Sequence, residues 1–238
     1  MFRDGDFNKY LCEFIGTFAL VFFAAGAVMV TALTGEPGPI GAGLISGSVI
    51  AIVIYCFGHV SGAHVNPALS LAAAALGKLE WRLIPGYISA QMAGSAAGGF
   101  ALLFALGEVA SIGANLPNEG LGISPGIALA IELFLSFLLM WVICGTAYDD
   151  GAALPFAGLA IGATVAIEVM LMGPVAGAAM NPARAFGPHL ARGDFTHFWI
   201  YLLGPVGGML IGAYTFRVTH IRIASLAKAE RKRRGMIP

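Results

Sequence analysis

The sequence predicts an all-α membrane protein: six spanning helices plus two re-entrant half-helices, arranged as an inverted repeat of two three-helix halves. Three observations predict it. Of 238 residues, 58% are hydrophobic and 11% charged, and the apolar residues come in long unbroken runs. The cations fall on alternate connections between those runs. The triplet Asn66-Pro67-Ala68 returns as Asn181-Pro182-Ala183 in matched surroundings.

The first run, Tyr10 to Leu33, contains Glu13 as its one strongly ionisable residue. It exceeds the roughly 20 apolar residues that cross a hydrocarbon core, and its length and the lack of a small-residue cleavage site argue against a signal sequence. Further runs lie at Gly41 to Phe57, Leu83 to Leu106, Pro125 to Ala147, Leu154 to Leu171 and Phe198 to Val218, bounded by Gly, Pro or charged residues.

Six alternating crossings put Arg3, Lys9, Lys78, Arg82, Arg217, Arg222, Lys228, Arg231, Lys232, Arg233 and Arg234 on one side. By the positive-inside rule that side is cytoplasmic and holds both termini. The expected location is a plasma or inner membrane, with membrane lipid as a partner and no nucleic acid. The basic stretch 221–238 reads as a cytoplasmic tail and topology signal. Cys12, Cys56 and Cys144 fall in predicted spans, so no disulfide framework is implied.

The repeat extends beyond the triplets. Glu13, Thr17, Phe18 and Gly26 match Glu132, Ser136, Phe137 and Gly145 in spacing. Tyr87, Gly94 and Gly98 recur as Tyr201, Gly208 and Gly212, and Gly58, Val60 and Gly62 as Gly173, Val175 and Gly177. One membrane domain, 1–238, thus divides into a first repeat, 1–123, and a second, 124–220. Each half makes three crossings, an odd number, so the second half is inserted upside down.

Between Phe57 and Arg82 there is no room for another span, yet "NPALSLAAAAL" reads as a short helix. Asn66 is the expected N-cap and Pro67 the first helical residue, followed by Ala68. "NPARAFGPHL" is its counterpart, with Asn181, Pro182 and Ala183 at the start and Gly187-Pro188 expected to halt it. Inverted symmetry brings the two N-terminal ends together near the midplane. Two positive dipole ends and the Asn66 and Asn181 amides would there favour a neutral oxygen and oppose cations and protons.

Glu13 and Glu132 are expected to accept hydrogen bonds from the irregular backbone ahead of each half-helix, an alternative to proton transfer. Glu168 has no counterpart in the first half and is expected to pair with a loop donor or to bias the pore mouth against anions, the alternative being an interface or lipid-headgroup position. His59 and His64 are placed in the first re-entrant loop, fixing its fold. His189 and Asp194 receive no role.

These residues carry a resemblance. Over essentially its whole length the chain is similar to the aquaporin and aquaglyceroporin superfamily, through the two Asn-Pro-Ala motifs, Arg184 directly after the second, "EFIGTF" and "YLLGPVGG". The resemblance implies a homotetramer of six-helix bundles with a pore in each protomer, passive transport, no enzyme chemistry and no cofactor or metal. It also implies an outer selectivity filter, which gapless counting from the two Asn residues places at Ser46, Val169, Ala178 and Arg184.

Water-strict members carry an aromatic at the first of these positions and His at the second; this chain has neither. The pattern resembles plant nodulin-like channels and bacterial relatives that pass uncharged hydroxylated metalloids and small polyols. Glycerol facilitators typically show Asp after the second motif, where this chain has Ala185. The expectation is passive flow of water, boric acid, arsenous acid and glycerol, with protons and ions excluded. A water-selective pore, a coupled secondary transporter and a structural or adhesive membrane protein are the alternatives.

Overall fold

A computed structural model describes residues 5–149 and 154–233, with side chains described as far as His220 apart from Leu154. Arg3 and Arg234 lie outside the described residues, and the side chains of the basic tail lie outside them too.

Eight α-helices build the described chain: α1 (Asp6–Thr34), α2 (Gly38–Ser61), α3 (Pro67–Ala75), α4 (Ile84–Leu106), α5 (Pro125–Ile143), α6 (Ala157–Ala176), α7 (Pro182–Arg192) and α8 (Phe198–Arg233). Six of these are long and apolar enough to cross a membrane. The two short ones, α3 and α7, begin at the two Asn-Pro-Ala motifs. A π-helical turn, Cys144–Tyr148, extends α5.

The boundaries follow local chemistry. Proline opens α2, α3, α4, α5 and α7 within their first two positions, where its missing N–H is not needed. Left-handed glycines close α1, α2 and α7 at Gly35, Gly62 and Gly193.

In lipid, helices associate through close packing rather than through a hydrophobic drive, so small residues sit where backbones touch. Glycine serves this purpose in a mirrored pattern. A Cβ on Gly94 of α4 would strike the Phe14 carbonyl of α1, and one on Gly208 of α8 would strike the Leu133 carbonyl of α5. Where α2 crosses α6, the same holds of Gly47 against Gly162. The main helix pairs are accordingly α1 with α4, α5 with α8, and α2 with α6 across the two halves.

Each half-helix packs against the last helix of the other half, α3 on α8 and α7 on α4. The halves are thereby interlocked. Large apolar side chains such as Phe104, Phe134, Ile167 and Tyr214 cover the outside, as a lipid-facing surface requires.

Two expectations need correction. Helix α7 does not stop at Gly187-Pro188 but continues to Arg192. The Ser95 hydroxyl of α4 is inserted into the interrupted ladder: it donates to the Ala183 carbonyl and accepts from Gly187 N–H (2.7 Å). Gly187 has no Cβ, which lets α4 come that close. Helix α8 carries the last apolar run as a span, Phe198–His220, and continues to Arg233 because nothing in "IRIASLAKAERKR" breaks a helix. His59 lies in the last turn of α2, ahead of the re-entrant loop rather than in it.

Candidate functional site

The site is assembled from the two irregular segments ahead of the half-helices. Both use the same backbone: Ala63 and Val65 in the first, Ala178 and Met180 in the second, take left-handed φ between 44° and 49°. Left-handed backbone is unfavourable for these residues, Val65 above all, and persists only where the surroundings hold it.

Two buried carboxylates hold it. Glu13 of α1 accepts from His64 N–H (2.9 Å) and Val65 N–H (2.6 Å), and also from the Ser61 hydroxyl and the Gln91 amide (2.8 Å each). Glu132 of α5 accepts from Ala179 N–H (2.7 Å) and Met180 N–H (2.8 Å). Tyr87 and Tyr201 complete the parallel by donating to the Ser61 and Ala176 carbonyls.

Each motif asparagine has a double task. The Asn66 Oδ1 accepts from Ala68 N–H and Leu69 N–H, and the Asn181 Oδ1 from Ala183 N–H and Arg184 N–H, so each caps its half-helix. The amide groups cross over: Asn66 Nδ2 donates to the Met180 carbonyl (2.9 Å), and Asn181 Nδ2 to the Val65 carbonyl (2.8 Å). An amide nitrogen has two hydrogens, which leaves one on each side for a passing oxygen. Both asparagines line a cavity of about 100 Å³, bordered further by Ile54, Ile143, His64 and Tyr148.

A second cavity, of about 210 Å³, opens on the other side between Val28, Thr31, Pro39, Asn115 and Pro174. Five residues line both: Ala24, Ser46, Val169, Ala178 and Arg184. The four positions counted from the sequence are thus brought together where the cavities meet, with Ala24 as a fifth member that no motif marks. Ser46 Oγ donates to the Ala42 carbonyl (2.8 Å), which leaves its oxygen free as an acceptor.

Arg184 is buried and held from one side. Its Nη1 donates to the Gly113 carbonyl (3.1 Å) and to Asn115 Oδ1 (2.9 Å), using both hydrogens of that nitrogen. Nε and Nη2 remain for the lumen. Asn115 in turn donates to the Gly177 carbonyl (2.7 Å), and His189 approaches the Asn115 carbonyl (3.1 Å). Ser95, Asn115 and His189 were not legible as site residues, because their partners are far away in sequence.

His64 is bonded on both ring nitrogens, to Ser70 Oγ (3.1 Å) and Tyr148 Oη (3.3 Å), at the wall of the first cavity. Glu168 is buried, and its carboxyl oxygens have no hydrogen-bond partner among the described residues. No loop donor among the described residues reaches Glu168. No group of three or more His, Cys, Asp or Glu able to hold a metal occurs among the described residues.

The family model described as Major intrinsic protein matches residues 3–216. Aquaporin NIP1-3 of Oryza sativa subsp. japonica is 41% identical over 223 residues, which cover 92% of this chain and 76% of the relative. Aquaporin NIP1-1 of Zea mays is 40% identical over 89% of this chain and 74% of its own length. Among solved structures, the aquaglyceroporin from Plasmodium falciparum superposes with a TM-score of 0.82 over 93% of this chain and 99% of that one, at 24% identity, a likeness of fold.

Proposed function

Because the chain belongs to the major intrinsic protein family, whose members are channels rather than enzymes, we propose that this channel for water and small solutes passes uncharged hydroxylated molecules, namely boric acid, arsenous acid and glycerol, besides water. The observation that carries the reading is the composition of the ring shared by the two cavities. Ala24, Ser46, Val169 and Ala178 are small, and Arg184 supplies the one large polar group. Among the described residues no aromatic ring or imidazole lines both cavities beside the guanidinium, which leaves room for a trihydroxyl solute.

The proposed passage is stepwise. A solute hydroxyl accepts from the free Nε and Nη2 hydrogens of Arg184 while Val169 gives an apolar wall. It then meets the second amide hydrogens of Asn66 and Asn181, where α3 and α7 direct their positive dipole ends. A water at that point accepts from both amides, which orients it and interrupts the donor chain along which a proton would hop. The guanidinium and the two helix ends raise the barrier to cations.

The distribution of cations supports placing the Arg184 cavity outside and both termini in the cytoplasm of a plasma or inner membrane. The family resemblance and the apolar exterior support a homotetramer with one pore per protomer. Stopped-flow light scattering on proteoliposomes, with water, glycerol, boric acid and arsenous acid in turn, tests the solute reading. Fast, non-saturating flux of the solutes supports it, and exclusion of all of them in favour of water overturns it.

A further inference from the structure

His189, on the last turns of α7, is fully buried and has both ring nitrogens on carbonyl oxygens: Nδ1 on that of Asp194 (2.7 Å) and Nε2 on that of Asn115 (3.1 Å). A carbonyl only accepts, so both contacts are hydrogen bonds only when both nitrogens carry a proton. With one proton the ring keeps the shorter bond to Asp194, five residues away on its own chain turn. The Nε2 lone pair then faces the Asn115 carbonyl and pushes it away.

Asn115 is the residue whose Oδ1 holds Arg184 Nη1, and its neighbour Gly113 offers the second acceptor. The same loop is under backbone strain. Ala110, Ser111 and Ile112 all have left-handed φ, between 46° and 56°, a state that costs free energy at each residue unless the surroundings impose it. Releasing the Asn115 carbonyl removes one of those constraints.

We propose that His189 is a positioning residue for Arg184, acting through Asn115, and that its doubly protonated ring clasps the strained loop so that the guanidinium stays against the wall of the pore. The inference rests on Arg184 bordering the conducting path, as proposed above. Losing one ring proton frees the guanidinium to lean into the ring formed with Ser46, Val169 and Ala178, and flux falls.

The groups that face His189 are few. Burial is the largest influence and, with Arg192, outweighs the two carbonyls and Asp194, holding the His189 ring below its ordinary range, so the clasp closes on the acid side. Asp194 is itself paired with Arg192 (2.8 Å), and among the described residues of α8 the rings of Phe198 and Tyr201 reach the imidazole. The Thr196 N–H and hydroxyl hold the Asp194 carboxyl below its ordinary range, so Asp194 stays charged wherever a histidine titrates.

The test is water permeability of the full-length channel in proteoliposomes buffered alike on both sides, from about pH 5 to about pH 8, where histidine changes charge. Wild type should lose roughly fivefold in permeability per channel as pH rises, the low end of a coupling between two sites. His189→Gln places an amide donor near the Nε2 position and should stay at the acid level throughout. His189→Asn places its donor near Nδ1, misses Asn115 and should stay at the alkaline level. A flat wild-type profile, or a His189→Asn profile that follows wild type, overturns the proposal. Because the readout is water, the solute panel on the same vesicles separates the two ideas: a pH profile with every solute excluded removes the solute reading and leaves the clasp standing.

Discussion

Asn66 and Asn181 are bonded to each other's loops, Asn66 Nδ2 to the Met180 carbonyl at 2.9 Å and Asn181 Nδ2 to the Val65 carbonyl at 2.8 Å. The pair is therefore a lock between the two halves as well as a donor set for the lumen. This separates two functions that a single substitution can pull apart.

Asn66→Asp keeps the acceptor that caps α3 but sets an oxygen against the Met180 carbonyl. The lost bond and the unpaired carbonyl should cost about 1–3 kcal/mol. The new negative charge should also weaken the cation barrier. Thermal unfolding in detergent should show the loss of stability and ion flux in vesicles should rise; a variant with wild-type stability would mean that the crossed bond does not hold the halves.

Glu132→Gln tests the support behind the second loop. Either orientation of the amide turns its NH2 toward Ala179 N–H or Met180 N–H, stranding one buried donor at about 1–3 kcal/mol. The left-handed Ala178 and Met180 should then relax and Arg184 should shift. Reduced melting temperature together with altered permeability is the expected result, and an unchanged melt would show that the loop holds its shape without Glu132.

The spans and the half-helices were legible because each is written locally or twice, whereas the four ring positions came only from the family resemblance. Pro67 and Pro182 after an N-capping Asn mark a helix start in any chain, and equal spacing in two halves fixes which residues are partners. Arg184's acceptors were not legible, since Gly113 and Asn115 sit in a loop with no counterpart and reach it by a strained path. Gly187-Pro188 misled for a related reason. Local rules end a helix there, and the bond that rescues it comes from Ser95 on another helix.

Two adjacent glycines give a packing test. A Cβ on Gly208 would lie against the Leu133 carbonyl and 2.8 Å from Ser136 Cβ, whereas on Gly207 it would find Leu133 Cδ1 at an ordinary 3.7 Å. Gly208→Ala should force α8 away from α5 at a cost of about 1–3 kcal/mol. Gly207→Ala should be neutral or stabilise by up to about 1 kcal/mol through helix propensity. Equal melting temperatures for the two variants would contradict the close α5–α8 crossing.

Arg184→Val removes the guanidinium while leaving Asn66, Asn181 and both half-helix ends in place. Neutral flux should persist, and leak of protons or small cations should rise about tenfold, equivalent to 1.4 kcal/mol off the barrier. Voltage-clamped, pH-jumped vesicles measure it. No increase would show that the central dipoles exclude cations without help from Arg184.

The ring itself is tested by filling it. Ser46 on α2 and Val169 on α6 line both cavities beside Arg184, and close packing of Gly43 and Gly47 on α6 keeps the two helices from spreading to admit larger side chains elsewhere. An added ring at Ser46 therefore has the lumen as its open direction. Ser46→Phe with Val169→His supplies the aromatic and the imidazole that water-strict relatives carry, narrowing the ring and adding a donor for water. The double variant should keep water flux and lose most of the boric acid, arsenous acid and glycerol flux that wild type shows, as read by stopped-flow light scattering on both proteins in parallel. If the variant still conducts the solutes, these two residues do not set the limiting width. If wild type already excludes them, the space beside Arg184 is closed by something other than side-chain size, and the channel is selective for water.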